Sequence, residues 1–184
     1  VREEEREEEV VDAGHRQRLE DRPRRAEHRV AVAAAELAVQ WDCANEIQEV
    51  YGAVADLPMS AAIERNLPQF RVLGTALPAE AELGYHFCFG TLGGWPRFAP
   101  NDLSACVDLA NAVIAASGRR VDWMHIPALD TLDEAFYAPL AGLKPQGAKI
   151  YLGLIHHMET FEQRLKIARK FLPDFGIEIG RAHV

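Results

Sequence analysis

The distribution of apolar and polar residues divides the chain at about residue 36. Before that point, charged residues form alternating blocks with few large apolar side chains, as in the segment 2–9. Such a segment cannot bury enough surface to offset the entropy that it loses on ordering. After that point, short apolar runs alternate with segments of helical periodicity. We therefore expect residues 1–35 to form a disordered or non-native tail and residues 36–178 to form the folded part.

Five apolar runs have the length of buried strands. In the fourth run, Ile150, Leu152 and Leu154 share one face, and the other face is also largely apolar. Apolar character on both faces is typical of a parallel strand. The five predicted strands lie at 37–42, 83–90, 121–127, 148–156 and 175–179.

Helical patterns separate these runs. Thr131 with Glu134, and Thr160 with Gln163, have the spacing of a capping box, which predicts a helix start at each threonine. The order of elements predicts parallel strands with right-handed crossovers, and we expect a partial eight-stranded β/α barrel, roughly its C-terminal half. A doubly wound sheet is the alternative, but no G-x-G-x-x-G motif follows a strand. The predicted helices lie at 44–51, 59–66, 103–116, 131–143 and 160–172.

Composition narrows the class of protein. The 184 residues are 48% hydrophobic, which is ordinary for a globular domain, and the formal net charge is -8. No basic stripe indicates nucleic-acid binding, and no apolar run indicates a membrane span or signal peptide. Three cysteines without framework spacing favour a reducing compartment. We expect a soluble, cytoplasmic protein.

Candidate chemistry begins with His86 and Cys88, which are two residues apart in the second predicted strand. Side chains two apart on a strand project to the same side, and imidazole and thiolate are both ligands of zinc. Asp42, His125 and His156 each lie near the end of another predicted strand. In parallel α/β folds, the carboxyl ends of the strands collect ligand-binding groups. The alternatives are a hydrogen-bonded core pair for His86 and Cys88, and a helix cap for Asp42.

These positions carry a resemblance to a known family. Along residues 36–178 the chain resembles the carboxy-terminal barrel of cobalamin-independent methionine synthase and the related barrels grouped with uroporphyrinogen decarboxylase. The resemblance implies transfer of a methyl group from a methylated folate, or a similar donor, to a thiol such as homocysteine. It also implies that His86 and Cys88 bind zinc, that Asp42 and Gln40 bind substrate, and that His156 donates a proton to the leaving folate. The matching segments are Gln40-Trp41-Asp42, His86-Phe87-Cys88, the strand ending near His125, and Ile155-His156.

The chain departs from the family pattern at two ligands. The next strand carries Met124 and His125 where the family has a glutamate, so His125 is a candidate third ligand. The family's last ligand, a cysteine, is expected just beyond Val184. Residues 179–184 resemble a translated sequencing adapter, so we expect a fragment of a longer protein that is inactive alone and needs the missing barrel half or self-association.

Two other functions remain open from the sequence. One is a metal-free barrel lyase like uroporphyrinogen decarboxylase, which requires an arginine-lined pocket for substrate carboxylates. The other is a binding barrel that has kept the scaffold and lost the chemistry, and the missing glutamate favours it.

Overall fold

A computed structural model describes residues 32–91 and 93–179. Most of the predicted tail and nearly all of the predicted non-native end therefore lie outside the described residues. The strands are β1 (Ala38–Asp42), β2 (Glu82–His86), β3 (Trp123–Pro127), β4 (Lys149–Gly153) and β5 (Gly176–Glu178). The helices are α1 (Ala44–Val50), α2 (Met59–Thr75), α3 (Ser104–Ala116), α4 (Glu134–Tyr137) and α5 (Phe161–Phe171), with 3-10 turns at Ala34–Glu36, Ala138–Gly142 and Met158–Thr160.

The five strands form one sheet in which every neighbouring pair is parallel. Their order in space is the order in the chain, β1-β2-β3-β4-β5. The prediction of an α/β fold with parallel strands is confirmed. Because each crossover moves to the next strand in the same direction, right-handed crossovers place the connecting helices on one face of the sheet.

The helix-facing side of the sheet forms the core. Leu83, Tyr85 and Phe87 alternate along β2 and its extension, and all three are fully buried. The Tyr85 ring packs edge-on against Phe70 of α2 at 5.5 Å, and its hydroxyl donates to the Phe70 carbonyl at 3.3 Å. Burial of one such apolar side chain stabilises the fold by about 1.5–3 kcal/mol.

The opposite face of the sheet is more polar and is lined by two aromatic rings. The indole of Trp123 lies across Gly84, where a Cβ atom would be 1.9 Å from the ring. The ring of Tyr151 covers Gly176 in the same way, at 2.4 Å. Together with Gln40, these side chains border a cavity of about 470 Å³. Glycine is therefore required at both positions by the close approach of a neighbouring ring.

Two helix boundaries and one helix cap differ from the predictions. Helix α2 continues past Pro68 to Thr75, because Pro68 and the residue four before it are both exposed, and water can satisfy the carbonyl that loses its partner. Helix α4 is capped by Asp133, whose carboxylate accepts from the Ala135 N–H, and not by Thr131. Thr160 is the N-cap of α5, but its hydroxyl makes no capping hydrogen bond.

Within residues 32–91 and 93–179, none of the helices combines the length and the apolar character that crossing a bilayer requires.

Candidate metal centre

Strand register brings His86 and His125 together. His86 ends β2 and lies beside His125 in the β2–β3 ladder, so both imidazoles project from the same face of the sheet. The two Nδ1 atoms are 2.5 Å apart, and the rings are stacked with their centroids 4.3 Å apart. An approach this close leaves no room for a proton on both nitrogens, so at least one of them presents a lone pair.

Glu178 of β5 completes this cluster. One of its carboxylate oxygens is 3.4 Å from Nδ1 of His125. In the β4–β5 ladder Glu178 lies beside Gly153, a residue with no side chain to separate the carboxylate from β3. One ligand atom from each of His86, His125 and Glu178 lies within 4.8 Å of the others. Three strands of the sheet therefore contribute one donor each to a single point.

The electrostatics of the cluster favour a cation. His125 is 1% exposed, and this burial, together with the nearby His86, lowers its pKa from 6.5 to about 3. His125 is thus neutral at pH 7, as a metal ligand must be. Burial raises the pKa of Glu178, although the nearby His86 lowers it. Two imidazole nitrogens and a carboxylate are a donor set that suits zinc, so the residues fit the metal.

Cys88 lies beyond the end of β2 and outside this cluster. It is half-buried, on the same side of the chain as His86, since Phe87 and Phe89 between and after them are fully buried on the other side. Its sulfur accepts a hydrogen bond from the Gly90 N–H at 3.3 Å. Among the described residues, the group that could hold a metal ion consists of His86, His125 and Glu178 and does not include the Cys88 sulfur.

The two predicted substrate-binding residues lie on β1. Asp42 is exposed and lies beside His86 in the β1–β2 ladder. The N-cap of α1 is Cys43, so the alternative role of Asp42 as a helix cap is wrong. The side-chain carbonyl of Gln40 accepts a hydrogen bond from the indole N–H of Trp123 at 2.8 Å. Gln40 therefore holds Trp123 at the border of the cavity.

His156 follows β4 and has a separate environment at the carboxyl end of the sheet. Its Nε2 lies 2.9 Å from the Ala128 carbonyl, and its ring is 4.8 Å from the Trp95 indole. Burial lowers the pKa of His156, and the Arg164 guanidinium acts in the same direction. The ring is neutral at pH 7, so it has to gain a proton before it can act as an imidazolium donor.

Sequence analysis did not identify Glu178 or Arg164 as functional. For Glu178 a usable signal exists, because it is a carboxylate at the end of the last predicted strand, where ligand-binding groups collect. For Arg164 the pattern gives no such signal, since basic residues surround it in α5.

Comparison of the chain with protein-family models, with curated proteins and with solved structures finds no match.

Proposed function

We propose that this chain is a zinc-binding part of a β/α barrel whose activity is the transfer of a methyl group to a thiol, like the cobalamin-independent methionine synthases that its motifs resemble. The observation that carries the proposal is the convergence of His86, His125 and Glu178 on one point, from three strands of one parallel sheet.

The strand order supports a barrel. Doubly wound sheets reverse their strand order at a switch point, whereas the described strands advance in one direction from β1 to β5. The polar face of this sheet, with Trp123 and Tyr151, corresponds to the interior of such a barrel. In this proposal, further strands from another segment or a second copy pair with β1 and β5 and close the cylinder.

In the proposed site, His86, His125 and Glu178 hold the metal. A bound zinc ion lowers the pKa of a thiol, which supplies a nucleophilic thiolate at neutral pH. Asp42 lies beside His86 in register and carries the negative charge that binds the amino group of an amino-acid thiol. His156 donates a proton to the group that leaves the methyl donor. Cys88 is a candidate further ligand, close in sequence to His86.

A metal-free binding barrel is the second candidate. The short contact between the Nδ1 atoms of His86 and His125 favours it. A hydrogen bond from one neutral imidazole to the other would pair the two rings without a metal ion. The metal-free lyase has less support, because Arg120 at the cavity is paired with Asp122 and Arg164 is fully buried.

Metal titration of the purified chain separates these candidates. We expect stoichiometric zinc binding that weakens at least tenfold in Glu178→Gln and His86→Gln, since each variant removes a ligand. Glu159→Gln is the matched control, because Glu159 is exposed and lies outside the cluster. If both ligand variants bind zinc as the parent chain does, the metal site is refuted and the binding barrel is preferred.

Cobalt substitution tests the thiol chemistry. Homocysteine added to the cobalt-loaded chain should produce a sulfur-to-cobalt charge-transfer band that persists in Cys88→Ser. A band that is present before the thiol is added and absent from Cys88→Ser would assign Cys88 as a ligand. A spectrum unchanged by homocysteine contradicts a thiol substrate at this metal.

A further inference from the structure

Arg164 is a buried cation whose hydrogen bonds surround His156. It lies in α5 with no exposed surface. Its guanidinium donates to the carbonyls of Leu154 at 3.0 Å and His157 at 2.5 Å, on either side of His156. It also donates to the Thr160 hydroxyl at 3.0 Å. Arg164 therefore fixes the backbone of the segment that carries His156.

The same guanidinium lies against the His156 ring. Its Nη1 is 3.5 Å from Nδ1 and 3.3 Å from Nε2 of His156. Nε2 also lies 2.9 Å from the Ala128 carbonyl. A carbonyl can only accept a hydrogen bond, so Nε2 must carry the ring proton. The lone pair of the neutral ring is then on Nδ1.

The surroundings of the His156 ring disfavour a second proton on it. The imidazolium would face the fixed positive charge of Arg164 in a partly desolvated position. His157, whose ring centroid is 5.6 Å away, also lowers the pKa of His156, whereas the Ala128 carbonyl and the Asp130 carboxylate raise it. Asp130 is itself engaged by Arg164 at 3.3 Å, so its charge is shared between the two groups.

We propose that Arg164 is a positioning residue that holds His156 as the neutral Nε2–H tautomer, with Nδ1 as its basic nitrogen. The role that this gives His156 rests on the proposed function. There, His156 first accepts a proton at Nδ1, for which the substrate thiol is the source, and only then can it donate one. The tautomer itself does not depend on zinc or on methyl transfer.

Nuclear magnetic resonance of the metal-free chain tests the tautomer directly. Long-range proton–nitrogen spectra at pH 7 should show His156 with a protonated Nε2 and a bare Nδ1, and His156→Gln identifies the signals. We expect a pKa for His156 below the ordinary 6.5. An Nδ1–H tautomer or an imidazolium at pH 7 would overturn the proposal, and neither result depends on an Arg164 variant folding.

Two variants test the part played by Arg164. Arg164→Gln should raise the pKa of His156 and mix its tautomers, whereas Arg169→Gln, at an exposed position of the same helix, should change neither. Asp130→Asn is the milder variant and should lower the pKa of His156 further, because it removes a carboxylate that raises it. An unchanged His156 pKa and tautomer in folded Arg164→Gln would refute the role of Arg164. A mixed tautomer in Asp130→Asn, which retains Arg164, would refute it as well. A failed zinc titration with the expected tautomer present would refute the proposed function alone.

Discussion

Replacing Gly84 by alanine tests whether the Trp123 indole is fixed against β2. A Cβ atom at position 84 would lie 1.9 Å from Cε2 and 2.2 Å from Nε1 of Trp123, so the indole must move. Its movement breaks the hydrogen bond to Gln40, which is worth about 1 kcal/mol, and the crowding costs about 1–3 kcal/mol. We expect the free energy of unfolding to fall by about 2–4 kcal/mol.

Urea unfolding followed by circular dichroism measures this loss. Gly142→Ala is the matched control, because its Cβ would meet a single atom of Val107 at 3.9 Å and should change stability by less than about 0.5 kcal/mol. In a Trp123→Ala background, Gly84→Ala should be nearly neutral, since the clashing ring is gone. An equal cost of Gly84→Ala in both backgrounds would show that the indole does not press on β2.

Three further predictions concern the site and the core. Burial lowers the pKa of His125 to about 3, so below pH 6.5 the unfolded metal-free chain binds a proton that the folded chain does not. The contribution of His125 to stability is complete above pH 6.5 and falls by up to about 1.4 kcal/mol per pH unit toward pH 3. Urea titrations at several pH values should show this slope in the parent and not in His125→Gln. Zinc at 100 times its Kd should raise the unfolding free energy by about 2.7 kcal/mol, and a chelator should reverse the gain in Tm; a Tm insensitive to zinc contradicts the site. Tyr85→Phe should cost about 1 kcal/mol in urea unfolding, because it removes the hydroxyl's contacts with Phe70 and Ser117 at 3.3 Å each; an unchanged midpoint would show that these contacts do not stabilise the fold.

The strands were predictable because their signal is local. Ile150 and Leu152 of β4 lie in the core, with 4% and 0% exposure, as the alternation of apolar residues predicts. In α3, whose range 103–116 is predicted from its helical periodicity, one apolar face is buried as well, including Val107 and Ala110. The parallel, sequential order follows from the alternation of strands and helices. The burial pattern and the connectivity depend on residues that are close in sequence, so both can be predicted from the sequence.

The membership of the candidate metal cluster was less predictable because it depends on register between distant segments. His86 and Cys88 share one side of the chain, as their spacing predicts, but the strand ends at His86. Glu178 reaches His125 across β4, which places Gly153 between them. Nothing in the residues around Glu178 indicates the register that places it beside Gly153 and within reach of His125. The prediction of a capping bond from Thr160 was also wrong, because its hydroxyl oxygen accepts from Nε of Arg164 at 3.0 Å and its proton goes to Asp130 at 2.5 Å.

His125 and His156 are both neutral at pH 7, but for different physical reasons. His125 is neutral because it is buried almost completely, and it faces the carboxylate of Glu178, which favours a cation beside it. His156 is neutral because it is partly desolvated and faces the cation of Arg164, which disfavours any second positive charge. A metal ion is therefore expected at the first histidine and not at the second, and a transferable proton is expected at the second. In the proposed function, the sign of the nearest charge, negative at Glu178 and positive at Arg164, distinguishes the candidate metal site from the candidate acid–base site.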